Sequence, residues 1–571
     1  MKKILYTCFL GLLCLVGSTL TAQVADSPGA DFLHRSSSTV PHELRDTHRG
    51  GETRPDTLPE HVDLVDNSDT QVGEHTVLIY LELAKRGAVD TLTFETIPFE
   101  VSQLYPNFRQ KEAFVTGRTG NFFEGINPGN DKLYLFSTQE FTQPGYLSIK
   151  HGEEKLIDKY LVFPGDSVKI RIDDTGNRIL FSGPDADLYA CQYELITAIE
   201  QERFSRPSKM ITTDPEALLD RDDYRMLYNK AQNTFGGSMQ LISYGPEQLD
   251  HYMDQWNIPM EQLPGFEVLE TYRSHLSPLA YQVLKADLVG KHKATLLQKF
   301  RIELYEPAVL GQDTVILDEV RQAVSILLSD EGIAELSAEA MDISSYWLDF
   351  SYEKAYLKAL DSETSFSALV IDKYVGDLRA KILLELLVNK FRQIPTKAAF
   401  IDRIAPYMVT ADQKGQLEEY RSKLAGAPVW DFQFQDRNGK MYSKDDFQDQ
   451  VVVFYFWSTG CGASENFYNL SFDRIADKFL GSEAVELVAV NASPDQEIWA
   501  SGLSSGKYTS DKLLNLYMGQ DSEKWKMHYN INMYPQLMMM DAEGKISEIF
   551  YLGESTESII SQIESAASVG R

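Results

Sequence analysis

The hydrophobic period changes twice along the chain, and each change predicts a new kind of structure. Between residues 75 and 184, the runs 75–83, 132–136, 159–163 and 167–172 are rich in β-branched and aromatic residues and are broken by Gly, Pro, Asn and Asp. In the last run Val168, Ile170 and Ile172 alternate with Ser167, Lys169 and Arg171, the period of a strand with one buried face. The pattern predicts an antiparallel β domain, a sandwich or barrel, with Pro164-Gly165-Asp166 as a hairpin turn. Over 185–425 the period becomes that of a helix: Leu188, Cys191, Leu195 and Ile199 share one stripe, and similar amphipathic stretches recur at 222–241, 279–300, 317–328, 355–360, 366–391 and 397–407. An all-α middle domain follows, with no fixed-length repeat of a solenoid.

From Gly426-Ala427-Pro428 strands and helices alternate, which predicts an α/β domain over 426–571. Strands are expected at 451–457, 486–490, 536–540 and 546–550, helices at 465–479 and 555–567, and a helical stretch at 511–517. Met538, Met539 and Met540 read as strand core rather than as a thioether cluster for a metal.

Residues 1–22 carry a different signal. Lys2 and Lys3 precede an apolar run from Ile4 to Val16, and small residues follow up to Ala22, the pattern of a cleaved secretory signal peptide. The run is short for a membrane-spanning helix, so no transmembrane anchor is expected. The mature protein is then expected in the periplasm of a Gram-negative bacterium. Residues 23–74, rich in Ser, Thr, Pro, Gly and Asp, read as a flexible acidic leader; His34, His42, His48 and His61, with His75 at its edge, lack the spacing of metal ligands.

Composition narrows the function. Lys and Arg total 54 against 84 Asp and Glu, a net charge of −30, so a nucleic acid would be repelled rather than steered. The sequence has no dinucleotide or Walker-type glycine loop, and His251, His275 and His292 are too far apart for a paired-histidine metal motif. No cofactor and no metal are expected. Cys8 and Cys14 fall in the export segment, which leaves Cys191 and Cys461 and no disulfide framework. Cys191 lies on an apolar helical stripe and reads as a small buried hydrophobe.

Cys461 is different. It follows a buried strand and opens a helix in Phe456-Trp457-Ser458-Thr459-Gly460-Cys461-Gly462-Ala463-Ser464, where unpaired backbone amides and the helix dipole favour a thiolate. Around it the chain resembles the TlpA-like thiol-disulfide oxidoreductases of the thioredoxin superfamily. The resemblance rests on Ala427-Pro428, Phe432, Asp436, Gly439-Lys440 and Phe447 before the strand, on Phe456-Trp457-Ser458-Thr459 leading to the cysteine, and on Tyr529, Ile531, Pro535, Asp541, Gly544 and Lys545 after it. It implies a thioredoxin-like fold and a cis peptide at Tyr534-Pro535. It also implies a redox site of Cys461, Ser464 and Pro535, with Trp457, Gly460, Gly462, Ala463 and Tyr534 forming the substrate-facing surface. The domain organisation as a whole is similar to that of secreted Bacteroidota proteins of this type.

The family's second cysteine is replaced by Ser464. Gly460 stands in place of a Trp, Phe467 of an acidic residue and Asn469 of a Pro, and Tyr455 takes the strand position where an acid is common. Three readings are open. Cys461 acts as a monothiol, with an external thiol releasing the product; or the domain is a redox-inactive binding or scaffold module; or the protein is a one-Cys peroxidase, with Ser458 three residues before the cysteine. Against the last, Phe454 holds the expected Pro position, and only Arg474 and Arg571 follow Cys461. Partners would be protein thiols and disulfides or a small thiol, and the acidic surface favours neutral or basic partner faces. His528, near the expected cis-proline, is either a neighbour of Cys461 or a helix-end histidine.

Overall fold

The computed structural model describes residues 76–569, apart from 85–90, 99–110, 120–130, 139–142, 153, 174–177, 236–238, 312–315, 330–335, 395, 494, 520–521, 530, 532 and 551–553. The expected export segment, the acidic leader and its histidines lie outside the described residues. Contacts gather the described chain into two compact units, divided between Ser344 and Ser345.

The first unit opens with nine strands: β1 (Leu78–Leu83), β2 (Thr91–Pro98), β3 (Lys111–Thr116), β4 (Arg118–Thr119), β5 (Lys132–Ser137), β6 (Gly145–His151), β7 (Glu154–Val162), β8 (Ser167–Ile172) and β9 (Ile179–Ser182). They form two sheets, in the orders β4-β5-β1-β8-β9 and β3-β2-β6-β7. Phe94 of one sheet stacks on Phe136 of the other at 4.5 Å, and both are buried, so the apolar faces meet as a sandwich. Two details differ from the sequence reading. β1 pairs with β8 in parallel, so the domain is mixed rather than antiparallel. The turn at Pro164-Gly165 joins β7 to β8, which belong to different sheets, so it is a crossing between layers and not a hairpin. The turn is closed locally: the Phe163 amide donates to the Asp166 carboxylate at 2.9 Å.

Helix α1 (Ala186–Ser205) packs on this sandwich. Gln192 accepts from the Leu161 amide and donates to the Leu161 carbonyl, which satisfies backbone groups on the edge strand β7. Cys191, the preceding residue of the helix, is fully buried, and burial pushes its thiol up to about 12. The middle is not wholly helical. The stretch read as one helix over 222–241 is a helix at Asp222–Phe235 followed by strand β11 (Met239–Ser243), which pairs in parallel with β10 (Ser208–Thr212). Gly236-Gly237 breaks the helical period just before Leu241 and Ile242. Helix α2 (Pro246–Trp256) and helix α3 (Pro278–Phe300) follow, the latter started by Ser277, whose hydroxyl accepts from the Ala280 amide at 3.1 Å.

The second unit begins with helices that include α4 (Ser345–Asp361) and α5 (Gly376–Lys390), which share an apolar core. It ends in a seven-stranded sheet ordered β13-β12-β16-β15-β14-β17-β18. Its strands are β12 (Phe434–Asp436), β13 (Met441–Tyr442), β14 (Val451–Trp457), β15 (Val485–Asn491), β16 (Leu514–Tyr517), β17 (Gln536–Met540) and β18 (Ile546–Phe550). Helices α6 (Gly462–Phe467), α7 (Asp473–Phe479), α8 (Gln496–Ser505), α9 (Ser522–Tyr529) and α10 (Thr556–Val569) complete it.

β14 explains the layering. All seven of its residues are buried, with Val451, Val453, Tyr455 and Trp457 in one core and Val452, Phe454 and Phe456 in another. Burying a large apolar side chain is worth about 1.5–3 kcal/mol, so a strand apolar on both faces belongs at the centre of a covered sheet. It pairs with β15 in parallel and with β17 antiparallel, and Met538 and Met540 face one core while Met539 faces the other. The expected helical stretch at 511–517 is instead strand β16, parallel to β15 and antiparallel to β12. Its four residues are too few for periodicity to separate strand from helix, and the open edge of β15 decides.

Candidate functional site

The site lies where β14 ends. After Trp457 the chain turns through Ser458, Thr459 and Gly460, whose φ of 86° suits a residue without a Cβ. The Cys461 amide closes the turn on the Ser458 carbonyl at 3.2 Å, and Cys461 is the extended N-cap residue of α6, at φ −82° and ψ 108°. The helix therefore starts at Gly462, earlier than the expected 465, because Gly462, Ala463 and Ser464 carry no apolar period to reveal it. It runs on through a π turn at Tyr468–Phe472 into α7. In that wide turn Asn469 donates to the Glu465 carbonyl at 2.8 Å.

Cys461 is partly exposed, and its thiol donates to the Tyr534 carbonyl at 3.7 Å. The Tyr534–Pro535 peptide is cis, and Pro535 is buried immediately before β17. Burial alone would push the thiol up, but the Ser464 hydroxyl and the backbone amides of Ser464 and Ala463 outweigh it and hold Cys461 below its ordinary value. The sulfur is thus stabilised by hydrogen bonds at a helix start rather than by a neighbouring cation. Ser464 is fully buried, and its hydroxyl makes no hydrogen bond of good geometry while the sulfur is a thiol. An unspent buried donor is costly, and a thiolate one helical turn away is what it can satisfy.

Tyr455 lies beneath the helix start and donates to the Ser464 carbonyl at 3.0 Å. Burial first, then the nearby sulfur and two other phenols, push its own phenol well above the ordinary range, so it is a fixed neutral donor and no proton acceptor.

The other sequence-predicted residues divide by exposure. Gly460, Gly462 and Ala463 are exposed around the sulfur and Tyr534 is half-buried beside it. Trp457, expected on the substrate-facing surface, has no exposure; its ring stacks on Tyr508 at 5.2 Å and supports the turn from below. His528 stacks on Trp430 at 4.8 Å and meets Tyr529 edge-on, and burial, with Lys423 adding, pushes it down to about 4.

Several residues of the site left no mark in the sequence. The Thr459 hydroxyl donates to the Ile498 carbonyl at 3.1 Å and accepts from the Asn491 amide at 3.4 Å, while its backbone amide donates to Ser493 at 3.4 Å. The Gly460 amide donates to the Tyr508 hydroxyl at 3.0 Å. Gly502 of α8 lies so close that a Cβ there would sit 2.5 Å from Thr459 Oγ1 and 2.9 Å from the Trp457 ring. These partners are 30 to 50 residues away along the chain, in a Ser- and Gly-rich stretch without a motif. Only the topology brings them to the turn.

Among the described residues, no group of three or more His, Cys, Asp or Glu is arranged to hold a metal, and no helix is long and apolar enough to cross a membrane.

No protein-family model matches the chain, and no curated protein sequence matches it. Solved structures to which it is similar include the thioredoxin domain of a thiol-disulfide oxidoreductase from Bacteroides vulgatus, at 18% identity and a TM-score of 0.22, covering 25% of this chain and 96% of that one. A candidate thiol:disulfide interchange protein DsbE from Chlorobium tepidum is also similar, at 18% identity and a TM-score of 0.22, covering 25% and 98%. So is a conserved protein of unknown function from Bacteroides fragilis, at 16% identity and a TM-score of 0.21, covering 24% and 97%.

Proposed function

We propose that the protein is a thioredoxin-like, TlpA-like monothiol thiol-disulfide oxidoreductase that works through Cys461 and is exported to the periplasm. The observation that carries this reading is the setting of the sulfur. It is partly exposed, held below its ordinary value at a helix N-cap, and faced by a buried Ser464 hydroxyl with no other partner.

The Cys461 thiolate attacks one sulfur of a partner disulfide along the S–S axis, forming a mixed disulfide and expelling the other sulfur as a thiolate. Ser464 cannot complete the cycle, since a hydroxyl does not displace a thiolate from sulfur. Cys191 lies fully buried, its thiol pushed up to about 12, and does not serve. An external thiolate therefore attacks the partner's sulfur in the mixed disulfide, releasing the Cys461 thiolate and leaving the partner joined to the small thiol; a second small thiolate then displaces the partner's sulfur, so the partner is reduced and the two small thiols leave as their disulfide. The exposed Gly460, Gly462 and Ala463, with Tyr534, form the surface a partner chain would meet, and Pro535 shapes it beside the sulfur. Export rests on the basic and apolar order of residues 1–22.

The test is reduction of a disulfide-bonded protein with and without a small thiol. Turnover that requires both Cys461 and the small thiol supports the proposal. Activity no higher than that of the small thiol alone would make the domain a redox-inactive scaffold, and Cys461-dependent consumption of peroxide in place of disulfide would favour the peroxidase.

A further inference from the structure

The segment that follows α8 is tied both to the start of the cysteine-bearing helix and to α7, into which that helix continues. Lys507 pairs with Glu465 at 3.6 Å, and Lys512 pairs with Asp473 and Asp477 at 3.2 and 2.7 Å. Between these ties stands Tyr508. It is buried, its ring lies flat on Trp457 with planes 12° apart, and its hydroxyl accepts from the Gly460 amide. Gly460 is the residue just before Cys461, and its left-handed φ aims that amide away from the helix. The phenol is the partner this amide has in the structure, and without it the exposed Gly460 peptide is held by nothing but solvent.

We propose that Tyr508 is the positioning residue for Cys461: its hydroxyl fixes the Gly460 peptide, and through it the direction in which the cysteine leaves the turn. The inference rests on the monothiol reading only for its functional meaning. Holding Gly460 in place keeps the sulfur over the amides of Ala463 and Ser464 and within reach of the Ser464 hydroxyl, the groups that stabilise the thiolate. Released, the turn lets the sulfur swing away from those donors, and the thiol returns toward its ordinary acidity. Tyr508 touches no reacting atom and acts through the backbone.

Tyr508→Phe tests this, because it keeps the ring on Trp457 and deletes the acceptor alone. The pH dependence of Cys461 alkylation is measured in the mature protein, residues 23–571, carrying Cys191→Ala, so that one thiol reports. The midpoint is expected to move up, with the thiolate population below the midpoint falling about two- to twelvefold for the loss of one neutral hydrogen bond and alkylation there slowing about 1.5- to 3.5-fold, since a more basic thiolate is a better nucleophile. In a Ser464→Ala background the effect of Tyr508→Phe is expected to shrink, since both act on the same sulfur. An unchanged midpoint in a variant that melts as the parent does would overturn the proposal, and so would full additivity with Ser464→Ala. If Tyr508→Phe unfolds the domain, Tyr508→Trp, which keeps a ring and offers no acceptor, gives the same reading. Alkylation needs no disulfide partner, so a thiol that shifts as described yet exchanges with no disulfide would refute the monothiol function and leave the positioning role standing.

Discussion

Ser464→Ala separates a working thiolate from a passive one. In the thiol state the Ser464 hydroxyl is buried without a well-formed hydrogen bond, so its removal should leave stability at mildly acid pH unchanged or slightly raised. In the thiolate state it is a donor to the sulfur, and its loss should raise the Cys461 midpoint. A hydrogen bond of about 0.5–1.5 kcal/mol corresponds to about two- to twelvefold in thiolate population below the midpoint. A more basic thiolate is also a better nucleophile, with a Brønsted slope of about 0.4–0.5, so roughly half of the logarithmic loss is recovered. The expected reaction with an aromatic disulfide reagent is thus only about 1.5- to 3.5-fold slower at low pH and faster by a similar factor above both midpoints. The two pH–rate profiles must cross. The sign agrees with linkage: a thiol whose folded value is depressed adds stability that grows as pH rises through that value, and Ser464→Ala should reduce this gain. Profiles that superimpose at every pH would refute the assignment of Ser464 as the thiolate's donor.

Other outcomes follow from the same structure. Cys461→Ala should abolish all reaction of the native protein with thiol reagents, and Cys191 should react only on unfolding, which alkylation followed by mass measurement would check. Gly502→Ala should lower the melting temperature, because the new Cβ meets Thr459 and Trp457 and overpacking costs about 1–3 kcal/mol; it should also disturb Cys461 reactivity, since Thr459 is two residues away. Asp287 accepts hydrogen bonds from Tyr146 at 2.8 Å and Ser344 at 2.5 Å, and burial raises it from 3.8 to about 7. A raised carboxyl gives stability that is complete below its unfolded value and lost as pH climbs to about 7, so Asp287→Asn should flatten the pH dependence of denaturant unfolding over that window.

The sequence made the centre of the C-terminal domain legible and left its edges open. Val451–Trp457 is apolar at every position, and its short length with β-branched and aromatic residues throughout marks a strand buried on both faces; Cys461 follows it at the start of a helix. β16 leaves no strand signal because four residues carry no decisive period, and the parallel pair β10 and β11 is hidden because each run is short and lies among helices. The layer-crossing turn at Pro164-Gly165 has the composition of a hairpin; which sheet each flanking strand joins depends on partners elsewhere. Trp457 sits in a motif that suggested a surface role, yet it is the end of a buried strand and is covered by Tyr508. Tyr508, Ser493 and Asn491 reach the site only through tertiary contacts, so no local pattern marks them.

The most direct measurement is the intact mass of the protein after exposure to excess oxidised small thiol and removal of the unreacted reagent, before and after adding excess reduced thiol. The account predicts one adduct, on Cys461, that persists until external thiol is added and then leaves completely. A protein that takes up no adduct at Cys461 while folded, or that sheds it without an external thiol, would contradict the monothiol mechanism.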